Sequence, residues 1–153
     1  MSLIVTIENY SLTDYQKQIV KVVYDEIKPM ISSIIDEFKE MDIEHVSPED
    51  ISKKIFIIIS TCIKIIEKTK VNNKKIEGSD KKQIVLELGK IIINTEIDNA
   101  SITDIINPIY DSLAEEVLET LIDVSSHVNT EVKKGCLVLF VNLKEKLSQC
   151  LHK

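Results

Sequence analysis

Apolar residues recur along most of this chain with the spacing of an α-helix. The first helical face follows Thr13, which together with Gln16 fits a capping box that satisfies two backbone amides. The pattern continues across Pro29, and we therefore predict a kinked helix or two abutting helices there, not a long loop. The face is formed by Tyr15, Ile19, Val23, Ile27, Ile31, Ile34, Ile35 and Phe38.

A second helix has a clear start signal in Ser47 and Pro48. The serine is a good cap, and proline suits the first helical position because its missing amide is not needed there. We predict that this helix runs to about Lys70. Its apolar residues cover most of its sides, which is typical of a helix at the centre of a bundle or at an oligomer interface. They are Ile51, Ile55, Phe56, Ile57, Ile58, Ile59, Cys62, Ile63, Ile65 and Ile66.

A polar stretch with Asn72 and Asn73, from Lys70 to Gly78, predicts a loop. Ser79 and Asp80 are then expected to cap a third helix. Gly89 lies inside that helix, where glycine costs about 1 kcal/mol relative to alanine. A close approach of another helix at this position would compensate for the cost.

The last third of the chain predicts two more helices. Ser101 and Asp104 resemble another capping box, but Pro108 offers a second start. We therefore expect a short helical turn followed by a long helix to about Ser126. Asn129 or Thr130 is predicted to cap a last helix, whose apolar face is Val132, Cys136, Leu139, Phe140, Leu143, Leu147 and Leu151.

Together these elements predict an all-α protein. Only Leu3–Ile7 has a β-like pattern, and a single strand cannot form a sheet within one chain. We expect one helical domain over residues 1–153, a bundle of five or six helices with short loops. Residues 1–11 are the candidate for an extended, flexible arm, and the alternative is that the β-like segment pairs with a neighbouring molecule.

Composition removes several classes of function. The chain has 153 residues, 19 of them lysine and none arginine, with a net charge of −6 and a pI near 5.1. An acidic chain argues against general nucleic-acid binding, which normally uses a broad basic face. Without arginine there can be no bidentate guanidinium clamp. Abundant isoleucine, lysine and asparagine are also what an A/T-rich coding sequence gives.

The lysines are segregated along the chain. Residues 64–82 hold seven lysines and three acids, whereas residues 91–132 hold nine acids and no lysine. The basic stretch is the one candidate site, a surface for an acidic protein, a phosphate-bearing polymer or lipid headgroups. A solvated loop is the alternative, and the acidic block is a candidate partner across the bundle or in another copy. The candidate residues are Lys64, Lys68, Lys70, Lys74, Lys75, Lys81 and Lys82.

Catalytic and metal-binding patterns are missing from the sequence. The histidines His45, His127 and His152 do not have zinc-ligand spacing relative to one another or to a cysteine. The three glycines cannot build a phosphate loop. We therefore expect no enzymatic activity, no cofactor and no small-molecule substrate.

Three further features bear on location. The odd number of cysteines without a C-x-x-C pair predicts reduced thiols in an intracellular compartment. No signal peptide is recognisable at the start of the chain. The most apolar run, Ile55–Ile66, is 12 residues long and is better interpreted as a buried helix than as a membrane span. We expect a soluble protein.

The middle of the chain carries a family resemblance. Ile63-Lys64-Ile65-Ile66-Glu67-Lys68-Thr69-Lys70 and Gly78-Ser79-Asp80-Lys81-Lys82 precede the aliphatic Ile84-Val85-Leu86-Glu87-Leu88, and Ile122-Asp123 follows later. This arrangement resembles short uncharacterised proteins of large double-stranded DNA viruses of eukaryotes, in which a helix ending in VEKTK precedes a G-x-x-K-K helix start. The resemblance covers about half of the chain, to about Val132, with Val71–Glu77 as an insertion. It implies a small helical viral protein packaged in the particle, with no catalytic residues to transfer.

The sequence therefore predicts a non-enzymatic viral protein that acts through protein–protein contacts, including self-association, as a structural or assembly component of the virion. One alternative is a host-interaction module that captures an amphipathic helix, as apoptosis regulators do. Another is an adaptor that contacts a membrane or nucleic acid through the lysines. The expected location is the virion or the cytoplasm of an infected cell.

Overall fold

A computed structural model describes the backbone of residues 7–127 and the side chains of residues 7–121. Five α-helices lie between Asp14 and His127, which confirms the all-α bundle. A 3₁₀ turn, Ile43–His45, and a two-stranded ribbon complete this part of the chain. The elements are α1 Asp14–Met30, α2 Ser32–Lys39, α3 Pro48–Lys68, β1 Lys70–Val71, β2 Lys74–Lys75, α4 Gly78–Glu96 and α5 Ala100–His127.

The start of α1 is the predicted capping box. The Gln16 amide donates to the Thr13 hydroxyl at 3.1 Å, and the Thr13 amide donates to the Gln16 side chain at 3.0 Å. Pro29 lies in the last turn of α1, and α2 begins immediately after Ile31. The interpretation as two abutting helices is therefore confirmed, because proline interrupts the hydrogen-bond ladder while the apolar face continues.

Helix α3 is the central helix. It is capped by Ser47, begins at Pro48 and packs against α1, α4 and α5. Its burial is less uniform than its composition suggests, since Ile57 is 42% exposed while Phe56 and Ile63 are only half-buried. The buried face of α3 consists of Ile51, Ser52, Ile55, Ile58, Ile59, Cys62, Ile65 and Ile66.

The polar stretch after α3 is not an irregular loop, and the expectation that only Leu3–Ile7 has a β-like pattern is wrong. Lys70 pairs with Lys75, and Val71 with Lys74, in an antiparallel hairpin. Asn72 and Asn73 have φ angles of 53° and 63°, the left-handed conformation that a two-residue hairpin turn of type I′ requires at both central positions. Asparagine tolerates this conformation better than most residues because its short side chain bonds locally. The hairpin is a correction to the predicted loop.

The predicted starts of the last two described helices are also corrected. Helix α4 begins at Gly78 after Glu77, with no side-chain cap, and Asp80 instead accepts a hydrogen bond from Gln16 at 2.9 Å. Helix α5 is one continuous helix with Pro108 inside it, not a turn followed by a second start. Asn99 caps it, accepting from the Ser101 amide at 3.0 Å.

Gly89 does mark a close helix–helix contact, as its position in α4 suggests. A Cβ atom at Gly89 would lie 2.3 Å from the hydroxyl of Tyr110 on α5. That hydroxyl donates to the Leu86 carbonyl of α4 at 2.6 Å, and Tyr110 is buried. The missing side chain therefore allows a tyrosine of α5 to reach the backbone of α4.

The two termini are only partly described. Ile7 is fully buried in the core, and Tyr10 and Leu12 pack against it, so this part of the 1–11 segment lies on the bundle. Residues 1–6 lie outside the described residues. The last helix expected after Asn129 also lies outside them.

The contacts define two ends of the bundle. Helix α1 runs beside α4 in the same direction, because Gln16 contacts Asp80 and Tyr24 donates to Glu96. Helix α5 runs antiparallel to α4, with Lys90 paired to Asp111 and Lys82 to Glu119. The hairpin end therefore holds the end of α3, the hairpin and the start of α4. The opposite end holds α2, the 3₁₀ turn and the starts of α3 and α5.

Candidate functional site

The hairpin holds its lysines on a short, well-anchored base. Val71 is half-buried against the core, and Ile76, directly after β2, is buried. At the base of the hairpin, Lys81 at the start of α4 bonds Glu67 near the end of α3 at 3.0 Å. Val71 and Ile76 therefore anchor the hairpin to the core, and the ion pair joins the two helices at its base.

Two lysines face each other across the hairpin. Lys70 lies opposite Lys75 in the β-ladder. Like charges directly opposite each other in a strand pair are destabilising. A hairpin selected only for stability would favour opposite charges here, and features that cost stability are expected at functional positions. This pairing is the local reason to treat the hairpin as a candidate site.

Five of the seven candidate lysines are exposed and make no ion pair with any described residue. We call this set the hairpin lysines. Two lie on α3, one turn apart, and three lie on the hairpin itself. The hairpin lysines are Lys64, Lys68, Lys70, Lys74 and Lys75.

The other two candidate lysines are engaged within the molecule. Lys81 pairs with Glu67, and Lys82 pairs with Glu119 at 2.6 Å and with Glu115 at 3.9 Å. The hydrogen bond with Glu119 raises the pKa of Lys82. The acidic block was a candidate partner across the bundle, and the structure confirms this for Lys82.

A cleft of about 670 Å³ lies between the N-terminal segment, α4 and α5. It combines aromatic and polar groups, including Tyr10, Glu87, Lys90, Asn94 and Asp111. Burial raises the pKa of the Glu87 carboxyl and of the Tyr10 hydroxyl. Sequence reasoning missed this cleft, because its residues come from three separate segments and share no motif.

The polar groups of the cleft largely satisfy one another. Lys90 bonds Asp111 at 2.7 Å, and Asn94 exchanges two hydrogen bonds with Asn107 at 3.0 and 2.9 Å. Gln83 donates to Glu87 at 3.3 Å. The contacts of Lys90 and Asn94 tie α4 to α5, whereas the Gln83–Glu87 bond lies within α4. The cleft is therefore a structural polar network more than a reactive site.

The described part of the chain contains one cysteine, Cys62. Cys62 is fully buried, and desolvation raises the pKa of its thiol to about 12, which makes it a poor nucleophile. Within the described ranges, no group of three or more His, Cys, Asp or Glu side chains is placed to hold a metal ion. No helix in the described part of the chain is long and apolar enough to cross a membrane.

Comparisons with protein-family models, with curated proteins and with solved structures found no match to this chain. The hairpin lysines and the cleft are therefore interpreted from their geometry and charge alone.

Proposed function

We propose that this chain is a non-enzymatic helical protein of a large DNA virus of eukaryotes and acts through protein–protein contacts, as a structural or assembly component of the particle. The proposal places it in the virion or in the cytoplasm of the infected cell. The observation that carries it is the set of hairpin lysines, which present five positive charges without an acidic partner among the described residues.

The physical argument is one of unmet charge. A solvated loop needs neither two lysines placed opposite each other in a ladder nor a base anchored by Val71, Ile76 and an ion pair to Glu67. An acidic partner would relieve the repulsion between Lys70 and Lys75 and would gain five contacts from a rigid platform. Complementary charge mainly sets partner choice and the rate of encounter, which suits an assembly protein.

A second candidate uses the same surface for a different partner. The hairpin lysines are also suited to phosphate, either on an anionic membrane or on nucleic acid, because each lysine acts as a point charge toward phosphate. Capture of an amphipathic helix has less support. That mode requires an apolar groove, whereas the described cleft is lined by Glu87, Lys90 and Asp111.

Zero-length cross-linking in the native source tests the proposal. A carbodiimide joins a lysine amine to a carboxylate only where the two are in contact. In purified particles of the virus that encodes the chain, we expect cross-links from the hairpin lysines to carboxylates of a protein. Lys21, exposed on α1 and without an ion pair to a described residue, is the internal control.

The outcomes separate the two candidates. Protein cross-links concentrated on the hairpin lysines support the proposal. Absence of the chain from particles, or ultraviolet cross-links of the hairpin to nucleic acid in place of protein, would contradict it. If the hairpin lysines became reactive toward an amine reagent only after detergent extraction, the result would point to a membrane surface.

A further inference from the structure

Two segments of opposite charge lie at the two ends of the bundle. Residues 64–82, at the hairpin end, hold seven lysines and three acids. Residues 25–50, at the opposite end, hold nine acids and two lysines. The two segments therefore have opposite net charge and lie at opposite ends of the bundle.

Several acids at the opposite end are as unpaired as the hairpin lysines. Glu37 and Asp50 share Lys54, and Glu49 pairs with Lys53. Five other exposed acids make no ion pair with a described residue, and we call them the end acids. They are Asp25, Glu26, Asp36, Glu40 and Glu44.

The two sets are too far apart to neutralise each other within one molecule. Helix α4 spans 19 residues between the ends, which corresponds to about 28 Å at about 1.5 Å per residue. The screening length at physiological ionic strength is about 8 Å. Neither set therefore neutralises the other within one molecule, and both remain available to a charged partner in solution.

The opposite end also exposes apolar side chains among its acids. Met30 at the end of α1 is 48% exposed, and Ile43 in the 3₁₀ turn is 44% exposed. Lysine side chains can lay their methylene stems on such residues while the ammonium group reaches a carboxylate. The end acids therefore lie on a surface that can be desolvated by a lysine-rich partner, with a contact that is not purely ionic.

We infer that the partner of the hairpin lysines is the opposite end of a second copy of this chain. The inference rests on the proposed function and names its partner. In an end-to-end contact each copy keeps one free surface of each kind, and such a heterologous contact generates a ring or an open filament. Two antiparallel copies side by side would instead satisfy both contacts in a closed two-fold dimer.

Sedimentation of the purified full-length chain tests the inference. We expect assemblies that grow with protein concentration and dissociate as salt increases. Raising the salt from about 0.1 M to about 1 M shortens the screening length from about 10 Å to about 3 Å. The apparent dissociation constant should rise by about tenfold or more, because the contact consists mainly of exposed charge pairs.

Two neutralised variants identify the surfaces. The lysine-neutral variant carries Lys64→Gln, Lys68→Gln, Lys70→Gln, Lys74→Gln and Lys75→Gln. The acid-neutral variant carries Asp25→Asn, Glu26→Gln, Asp36→Asn, Glu40→Gln and Glu44→Gln. Each alone is expected to be monomeric, and an equal mixture should stop at a one-to-one pair, because only one complementary contact remains. Lys21→Gln is the matched control and should assemble like the wild type.

Circular dichroism is the control for folding, and only variants that keep the helical signal of the wild type enter the comparison. Wild-type protein that stays monomeric at low salt, or a mixture that stays monomeric, would overturn self-association. If the hairpin lysines then cross-link to a different protein in particles, the proposed function still stands. If they cross-link to no protein, both fail.

Discussion

Replacing Gly89 with alanine tests the contact that fixes α4 against α5. The new Cβ would lie 2.3 Å from the Tyr110 hydroxyl and 3.1 Å from two of its ring carbons. Alanine gains about 1 kcal/mol of helix propensity over glycine. Overpacking of a filled core costs about 1–3 kcal/mol, and displacing the hydroxyl from the Leu86 carbonyl loses a bond worth about 1 kcal/mol. We expect a net loss of about 2 kcal/mol in the free energy of unfolding.

Gly78→Ala is the matched control. A Cβ at Gly78, in the first turn of α4, would meet no atom within 4 Å, and its φ angle is not positive. This change should be neutral or stabilise by up to about 1 kcal/mol, since it restricts the unfolded chain. Urea denaturation followed by circular dichroism gives both values.

A double-mutant cycle with Tyr110 tests the same contact. Tyr110→Phe removes the atom that lies closest to the new Cβ. The double variant should therefore lose less stability than the sum of the two single changes, with a coupling of about 1 kcal/mol. A Gly89→Ala protein as stable as the wild type, or strictly additive single changes, would refute the packing argument.

Three further predictions concern burial, ionisation and the hairpin turn. Cys62 should resist alkylation in the folded protein and react on unfolding, since burial raises its pKa to about 12; peptide mapping distinguishes it from the other cysteines, and rapid native labelling would contradict its burial. Burial raises the pKa of the Glu87 carboxyl. The protonated carboxyl therefore favours the folded state at low pH, and this stability is lost as the pH rises through the folded-state pKa. Glu87→Gln should therefore raise the melting temperature at pH 7 and have little effect near pH 3. The same change in melting temperature at both pH values would refute this. Asn73→Gly should stabilise the hairpin, whereas Asn73→Ala should cost about 1 kcal/mol because its φ angle is 63°; equal urea midpoints for the two would contradict the turn geometry.

The helices could be predicted from the sequence wherever the signal is local. Thr13 with Gln16, and Ser47 with Pro48, specify a helix start within four residues, and the structure confirms both. At Pro108 the local signal failed, because the helix that begins at Ala100 continues through the proline despite the hydrogen bond that proline removes. Asp80 was a candidate cap, but its carboxylate accepts a hydrogen bond from Gln16, 64 residues away in the chain. Such choices depend on packing between elements.

For the same reason, only part of the candidate site could be predicted from the sequence. The sequence places seven lysines in one stretch, but it cannot say which of them meet an acid. Lys82 reaches Glu119 across 37 positions of the chain, through the antiparallel packing of α4 and α5. The hairpin itself was recognisable in principle from Asn72-Asn73, since adjacent asparagines tolerate the left-handed backbone. Its flanking lysines are poor strand formers, which concealed it.

Whether the hairpin lysines are covered by a partner protein is the central question, and lysine acetylation footprinting measures it directly. Rates are compared at Lys64, Lys68, Lys70, Lys74 and Lys75 between the purified chain at high salt and the chain in its native source, with Lys21 as the internal reference. We predict slower acetylation of all five hairpin lysines in the native source and an unchanged rate at Lys21. Equal rates in the two samples would show that this surface faces solvent and would contradict the account.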